Sequence, residues 1–149
     1  MRPSTKSQSG FSVLELLAVV AASMVLAAAA LPATDRLQRT WNLISAARLL
    51  EQSLHWGRMY AVASNSAMMI EISPEGSRFS WRDPDSGEIY ESSIRNLPGD
   101  VRIVGYPRRA VRFYPRGNAA PAGSFTLAGE AGSYRVVVSP GGRIRVEKN

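Results

Sequence analysis

The residues best equipped to hold a ligand are arginines gathered late in the chain: Arg108, Arg109, Arg112 and Arg116, then Arg135, Arg143 and Arg145. Of eighteen basic residues in 149, sixteen are arginine, and the formal net charge is +6. That charge is polarised. Residues 95–149 hold ten bases against three acids, a net +7, whereas residues 35–94 hold six against eight, a net −2. A guanidinium presents a planar fork that suits phosphate and carboxylate, whereas an ammonium acts as a hydrated point charge. In a strand, Arg143 and Arg145 fall on one face and Ile144 and Val146 on the other, and Arg135 joins the exposed side from the strand before. Tyr106 and Tyr114 are close by in sequence and are able to stack on nucleobases. Solvation of an exposed sheet face, or contact with an acidic patch on another protein, are competing uses of these arginines.

Other chemistry is poorly supplied. The chain has no cysteine, which removes thiol catalysis, Cys-based zinc sites and disulfides. His55 is the single histidine, and with Trp56 it reads as a surface or packing residue of a helix. Asp83, Asp85 and Glu88 lack the glycine at position six and the acid at position twelve of an EF-hand loop. A tight turn around Pro84 and Gly87 explains them better. No Ser/His/Asp or Cys/His set is available, and no glycine-rich phosphate loop follows a strand. The expectation is no enzymatic activity, no catalytic residue, no metal and no cofactor.

The elements that must position the arginines read as a helix followed by strands. Leu43, Ala47, Leu50, Leu54, Gly57 and Ala61 recur at spacings of four and three, one apolar helix face. Leu37, Trp41 and Ile44 are expected to extend that stripe, and Arg36, Arg39, Arg48, Glu51 and Arg58 to lie on the other side. The helix should stop near residues 64–66. Strands are expected at 68–72, 78–82, 88–93, 101–104, 111–113, 125–127, 134–138 and 143–148, with a loose loop at 118–123.

Upstream, residues 11–31 form an apolar run broken only by Ser12, Glu15 and Ser23, behind a polar stretch carrying Arg2 and Lys6. Such a helix would be about 31 Å long, the thickness of a bilayer's hydrocarbon core. The basic flank should remain cytoplasmic, so the rest of the chain lies outside. Glu15 is the anomaly, because an ionisable group within a spanning helix costs about 2.5–3.5 kcal/mol and calls for a partner. If the chain were cut between Gly10 and Phe11, the new amine of a neighbouring subunit could pair with Glu15. A secretory signal cut near residues 28–33 would fit the small residues there, but neither Glu15 nor the length of the run.

The stretch Gly10-Phe11-Ser12-Val13-Leu14-Glu15-Leu16-Leu17 resembles the prepilin peptidase site of type IV pilins and type II secretion pseudopilins. The resemblance implies cleavage after Gly10, methylation of the Phe11 amine, assembly through Glu15, and a place in the inner membrane with the head periplasmic. Pro32 stands where pilins often carry a helix-kinking proline. A helix followed by antiparallel strands, with late segments around residues 111–117 and 136–146, resembles the FimT/GspH branch of that class. The implied fold is α+β, with a long N-terminal helix whose first half spans the membrane, packed on an antiparallel head of two small sheets. The implied organisation is a leader at 1–10, a membrane and filament-core helix at 11–32, its amphipathic continuation at 33–66 and the head at 67–149.

Gly142-Arg143-Ile144-Arg145 also resembles the Gly-Arg-x-Arg element of FimT proteins, minor pilins implicated in binding DNA for natural transformation. That resemblance implies Arg143 and Arg145 as phosphate grips, with Arg135, Arg108, Arg109, Arg112 and Arg116 adding charge. Two readings stay open: a FimT-like minor pilin of a type IV pilus that receives DNA, and a GspH-like pseudopilin of type II secretion with a structural role. Expected partners are other pilins or pseudopilins, prepilin peptidase, the inner membrane and, in the first reading, DNA.

Overall fold

A computed structural model describes residues 12–149, with the side chains of residues 29–33 outside the description. The leader and the proposed processing site at Gly10 and Phe11 lie outside the described residues. The chain divides between Asp35 and Arg36 into two compact units. Helix α1 (Val13–Ser64) begins in the first and ends in the second.

In the first unit the helix starts on Ser12, whose hydroxyl accepts from the Leu14 amide at 3.2 Å. Ser12-x-x-Glu15 has the spacing of a capping box, and it places Glu15 in the first helical turn. The unpaired amides there favour a carboxylate by about 0.3–1 kcal/mol, well short of the cost of burying it in lipid. Ser23 is satisfied within the helix, donating to the Val19 carbonyl at 2.8 Å. The apolar side chains from Val13 to Leu26 are exposed, Leu14 at 77%. Among the described residues no helix is long and apolar enough to cross a membrane. The apolar run at 11–31 lies partly outside them.

The second unit carries its own core. Helix residues Leu43, Ala47, Leu50, Leu54, Gly57 and Ala61 are buried, as the four-and-three spacing predicts, and Ala46 is buried beside them. Leu37 and Trp41 instead stay exposed, at 57% and 59%. Their own spacing is helical, but Ile44 follows Leu43 by one residue, which is 100° around the helix. The three therefore form a second stripe out of phase with the buried one.

Among the described residues nine strands follow, in two antiparallel sheets. The first is ordered β3-β2-β1-β5-β6, built from β1 (Met68–Ile72), β2 (Arg78–Arg82), β3 (Arg95–Asn96), β5 (Arg112–Phe113) and β6 (Ala119–Ala120). The second is ordered β4-β7-β8-β9, built from β4 (Arg102–Gly105), β7 (Gly123–Gly129), β8 (Gly132–Val138) and β9 (Ile144–Lys148). Phe79, Trp81 and Phe113 from the first sheet join Phe125, Leu127 and Val136 from the second, and Leu50 and Leu54 from the helix, in one buried cluster.

Two expectations about the strands fail. Residues 88–93 form a lone bridge from Ile89 to Arg82 and a 3-10 turn, η1 (Glu91–Ser93). The Ser93 hydroxyl takes the Trp81 amide at 2.9 Å, so a side chain satisfies the donor that a full strand would have paired. Residues 118–123 are not a loose loop, because they contain β6 and the start of β7. Two alanines carry no alternation of polarity to announce a strand.

Candidate nucleic-acid interface

Strands β8 and β9 pair as Val136 with Val146, Val137 with Arg145 and Arg135 with Glu147. Directly opposed residues in an antiparallel pair share a face. The buried face thus carries Val136, Val138 and Ile144, and the solvent face carries Arg135, Val137, Arg145 and Glu147. The expected alternation of Arg143 and Arg145 against Ile144 holds, with both arginines exposed and Ile144 buried. Among the described residues no hydrogen bond or ion pair holds the guanidinium of either one. Arg135 stands directly opposite Glu147 in the ladder, with a carboxylate beside it, so it is the weaker candidate of the three.

The acids of this third of the chain sit away from the Arg143 end. Glu130, in the β7–β8 turn, pairs with Arg39 of the helix, and its amide is taken by Asp100 Oδ2 at 3.0 Å. The β8–β9 turn, at the other end of the sheet, holds no acid. Ser139 organises it by accepting the Gly142 amide on its carbonyl at 2.8 Å and the Arg143 amide on its hydroxyl at 3.1 Å.

That turn is seated against the β5–β6 turn of the first sheet. The Ala119 amide donates to the Pro140 carbonyl at 2.9 Å, and Gly142 lies so close that an added Cβ would stand 2.0 Å from the Gly117 oxygen. Arg58, expected on the solvent side of the helix, instead reaches into this corner and donates Nε to the Gly117 carbonyl at 2.9 Å. Replacing Arg58 by Gln is expected to cost about 1–2 kcal/mol of stability, the loss of a charge-assisted hydrogen bond in a half-buried site. Faster hydrogen exchange at the Ala119 amide would register the loosened corner, and unchanged exchange would count against this role.

The remaining arginines do not join one continuous patch. Arg116 occupies the β5–β6 turn, adjoining the Arg143 turn through the backbone contacts above. Arg112 is exposed on β5, opposed by Met69 on one side and Ala120 on the other. Arg109 and Arg112 border one open cleft with Tyr114, while Arg108 borders a smaller one that includes Tyr106 and Glu71. Sequence order suggested one cluster; the fold distributes it over both sheets.

Of the acidic trio, Asp83 is used locally. Asp83 Oδ1 accepts the amides of Asp85 at 2.8 Å and Ser86 at 3.2 Å, forming the turn. Among the described residues no three His, Cys, Asp or Glu side chains are grouped to hold a metal. His55 is exposed on the helix.

The family model described as type II transport protein GspH matches residues 46–142. The match leaves out Glu15 at one end and Arg143 and Arg145 at the other. No curated protein matches the chain. Among solved structures, the type IV minor pilin FimU of Pseudomonas aeruginosa is similar with a TM-score of 0.61 at 21% identity, over 74% of this chain and 92% of that one. The minor pseudopilin EpsH from the type 2 secretion system of Vibrio cholerae is similar with a TM-score of 0.59 at 14% identity, over 72% and 97%. At these identities both likenesses concern the fold, a helix on a two-sheet head.

Proposed function

The chain belongs to the GspH family, and from that premise we propose that it is a minor pilin whose arginine-bearing sheet face receives DNA. The family places it among the pilin-like subunits of a type IV pilus or a type II secretion system. Within that class the reading is a subunit held in the inner membrane by residues 11–32, cut after Gly10 and methylated on Phe11. Its Glu15 carboxylate pairs with the amine of a neighbour during assembly. The helix dipole offsets only part of the cost of that carboxylate in an apolar setting, which is why an added partner is required.

The observation that supports DNA as a ligand is the pair Arg143 and Arg145, exposed on one face of the β8–β9 hairpin with no partner for either guanidinium among the described residues. Phosphate contacts of this kind are sequence-independent, with dissociation constants of about 10⁻⁴–10⁻⁶ M at physiological salt. The test is a DNA titration of residues 36–149, the unit that carries its own core, at two salt concentrations. Each phosphate contact contributes about 0.9 to the slope of log affinity against log salt on duplex DNA. The Arg143→Gln/Arg145→Gln double variant should therefore bind more weakly and flatten the slope by about 2. A folded wild-type unit that fails to bind at low salt would shift the reading to a structural pseudopilin of type II secretion, its arginines facing other subunits. The description of the matching family model, type II transport protein, supports that second reading.

A further inference from the structure

We propose that the open cleft on the outer face of β5 and β6 seats an unstacked nucleobase, so that the DNA received here is held as a single strand. The proposal rests on the DNA-binding reading above and names the form of its ligand. The cleft measures about 660 Å³ and is lined by Met69, Arg109, Ala110, Arg112, Tyr114, Ala120 and Pro121. Its shape follows from register. Arg112 stands between Met69 and Ala120 on one face of the sheet, and Ala120 on the edge strand leaves room above the backbone. Tyr114, two residues along and on the same face as Arg112, is 36% exposed at the margin.

The lining combines an aromatic ring, an apolar floor and two guanidiniums, with no carboxylate. A nucleotide matches each part, its base on Tyr114 and the floor and its phosphate on Arg109 or Arg112. Duplex DNA offers only phosphates here, because its base faces are covered by their neighbours; a single strand offers both. A strand leaving the cleft along the chain direction passes Arg116 in the next turn, whose Gly117 end abuts Gly142 beside Arg143. The turn that follows β5 thus meets the turn that carries Arg143 through a backbone contact.

The experiment compares a fluorescent 20-nucleotide poly(dT) with its poly(dA) duplex, titrated with the full-length chain in nonionic detergent. Loss of one base–aromatic stack weakens single-strand binding by roughly tenfold. Tyr114→Ala should show that loss on the single strand and less than about twofold on the duplex, while Tyr114→Phe, which keeps the ring, should match wild type. Arg112→Gln, an exposed change that leaves the strand intact, should also weaken the single strand more than the duplex. Equal effects of Tyr114→Ala on both forms, or none on either, overturn the cleft proposal. If Arg143→Gln/Arg145→Gln still weakens both forms in that case, DNA binding by the sheet face survives. Wild type that binds neither form at low salt overturns both.

Discussion

Replacing Trp81 by Ala should remove about 3–5 kcal/mol from the stability of the second unit, the range for truncating a fully buried aromatic. Domains of this size are stable by about 5–15 kcal/mol, so the loss is a fifth of the total or more. Trp81 has no exposed surface and is engaged at every polar atom: its indole Nε1 donates to Ser53 Oγ of the helix at 2.8 Å, and its amide to Ser93 Oγ at 2.9 Å. Its ring lies 5.9 Å from Phe113 and 6.3 Å from Trp56, centroid to centroid. The helix comes close enough for this only because residue 57 is glycine, where a Cβ would meet the ring at 2.4 Å. Truncation therefore loses transfer energy, leaves a cavity and strands the Ser53 hydroxyl. Urea denaturation of residues 36–149 would measure it. A companion Gly57→Ala should destabilise by about 1–3 kcal/mol through overpacking. Combined with Trp81→Phe, whose smaller ring makes room, it should cost less than the sum of the two single changes. A Trp81→Ala loss below about 1 kcal/mol would mean that the helix and first sheet are held together elsewhere.

Gly57 illustrates what sequence could and could not reveal. Its place in the buried helix stripe was legible because a period of 3.6 residues is written in the positions of Leu43, Leu50 and Leu54. The reason it must be glycine was not, because Trp81 is 24 residues away and reaches it only through the fold. The outward alternation of Arg143 and Arg145 against buried Ile144 was legible for the same local reason, a period of two. The place of Arg58 off the apolar stripe does not reveal its bond, since its acceptor on Gly117 is 59 residues distant. Leu37 and Trp41 were misread because spacing was matched without phase. The division of the arginines between two sheets was invisible, since it depends on β6 and β9 being edge strands of different sheets. Local periodicity reads faces; long-range closure decides which faces meet.

The glycine of the Gly142-Arg143-Ile144-Arg145 element has a structural reason that is separate from any ligand, and Gly142→Ala should cost about 3 kcal/mol. Two effects contribute. Gly142 has φ +75°, where a side chain costs about 1–2 kcal/mol against the backbone. In addition its Cβ would lie 2.0 Å from the Gly117 oxygen and 2.9 Å from Arg58 Nε, and a backbone carbonyl cannot rotate aside as a side chain can. Gly87 separates the two contributions, because its φ is +74° but nothing lies within 4 Å of the position of a Cβ. Gly87→Ala should cost only the conformational part, about 1 kcal/mol. Asn tolerates this backbone region better than Ala but carries the same Cβ. Gly142→Asn should accordingly recover no more than about 1 kcal/mol of the loss. Thermal melting of the three variants decides the matter. If Gly142→Ala and Gly87→Ala melt alike, the contact between the β5–β6 and β8–β9 turns is not close enough to matter. If Gly142→Ala is far the worse and also weakens DNA binding while Arg143 and Arg145 remain, the glycine is what holds those arginines in place. The element is then a unit in which one residue sets the turn and the next two strand positions of the same face present the charge.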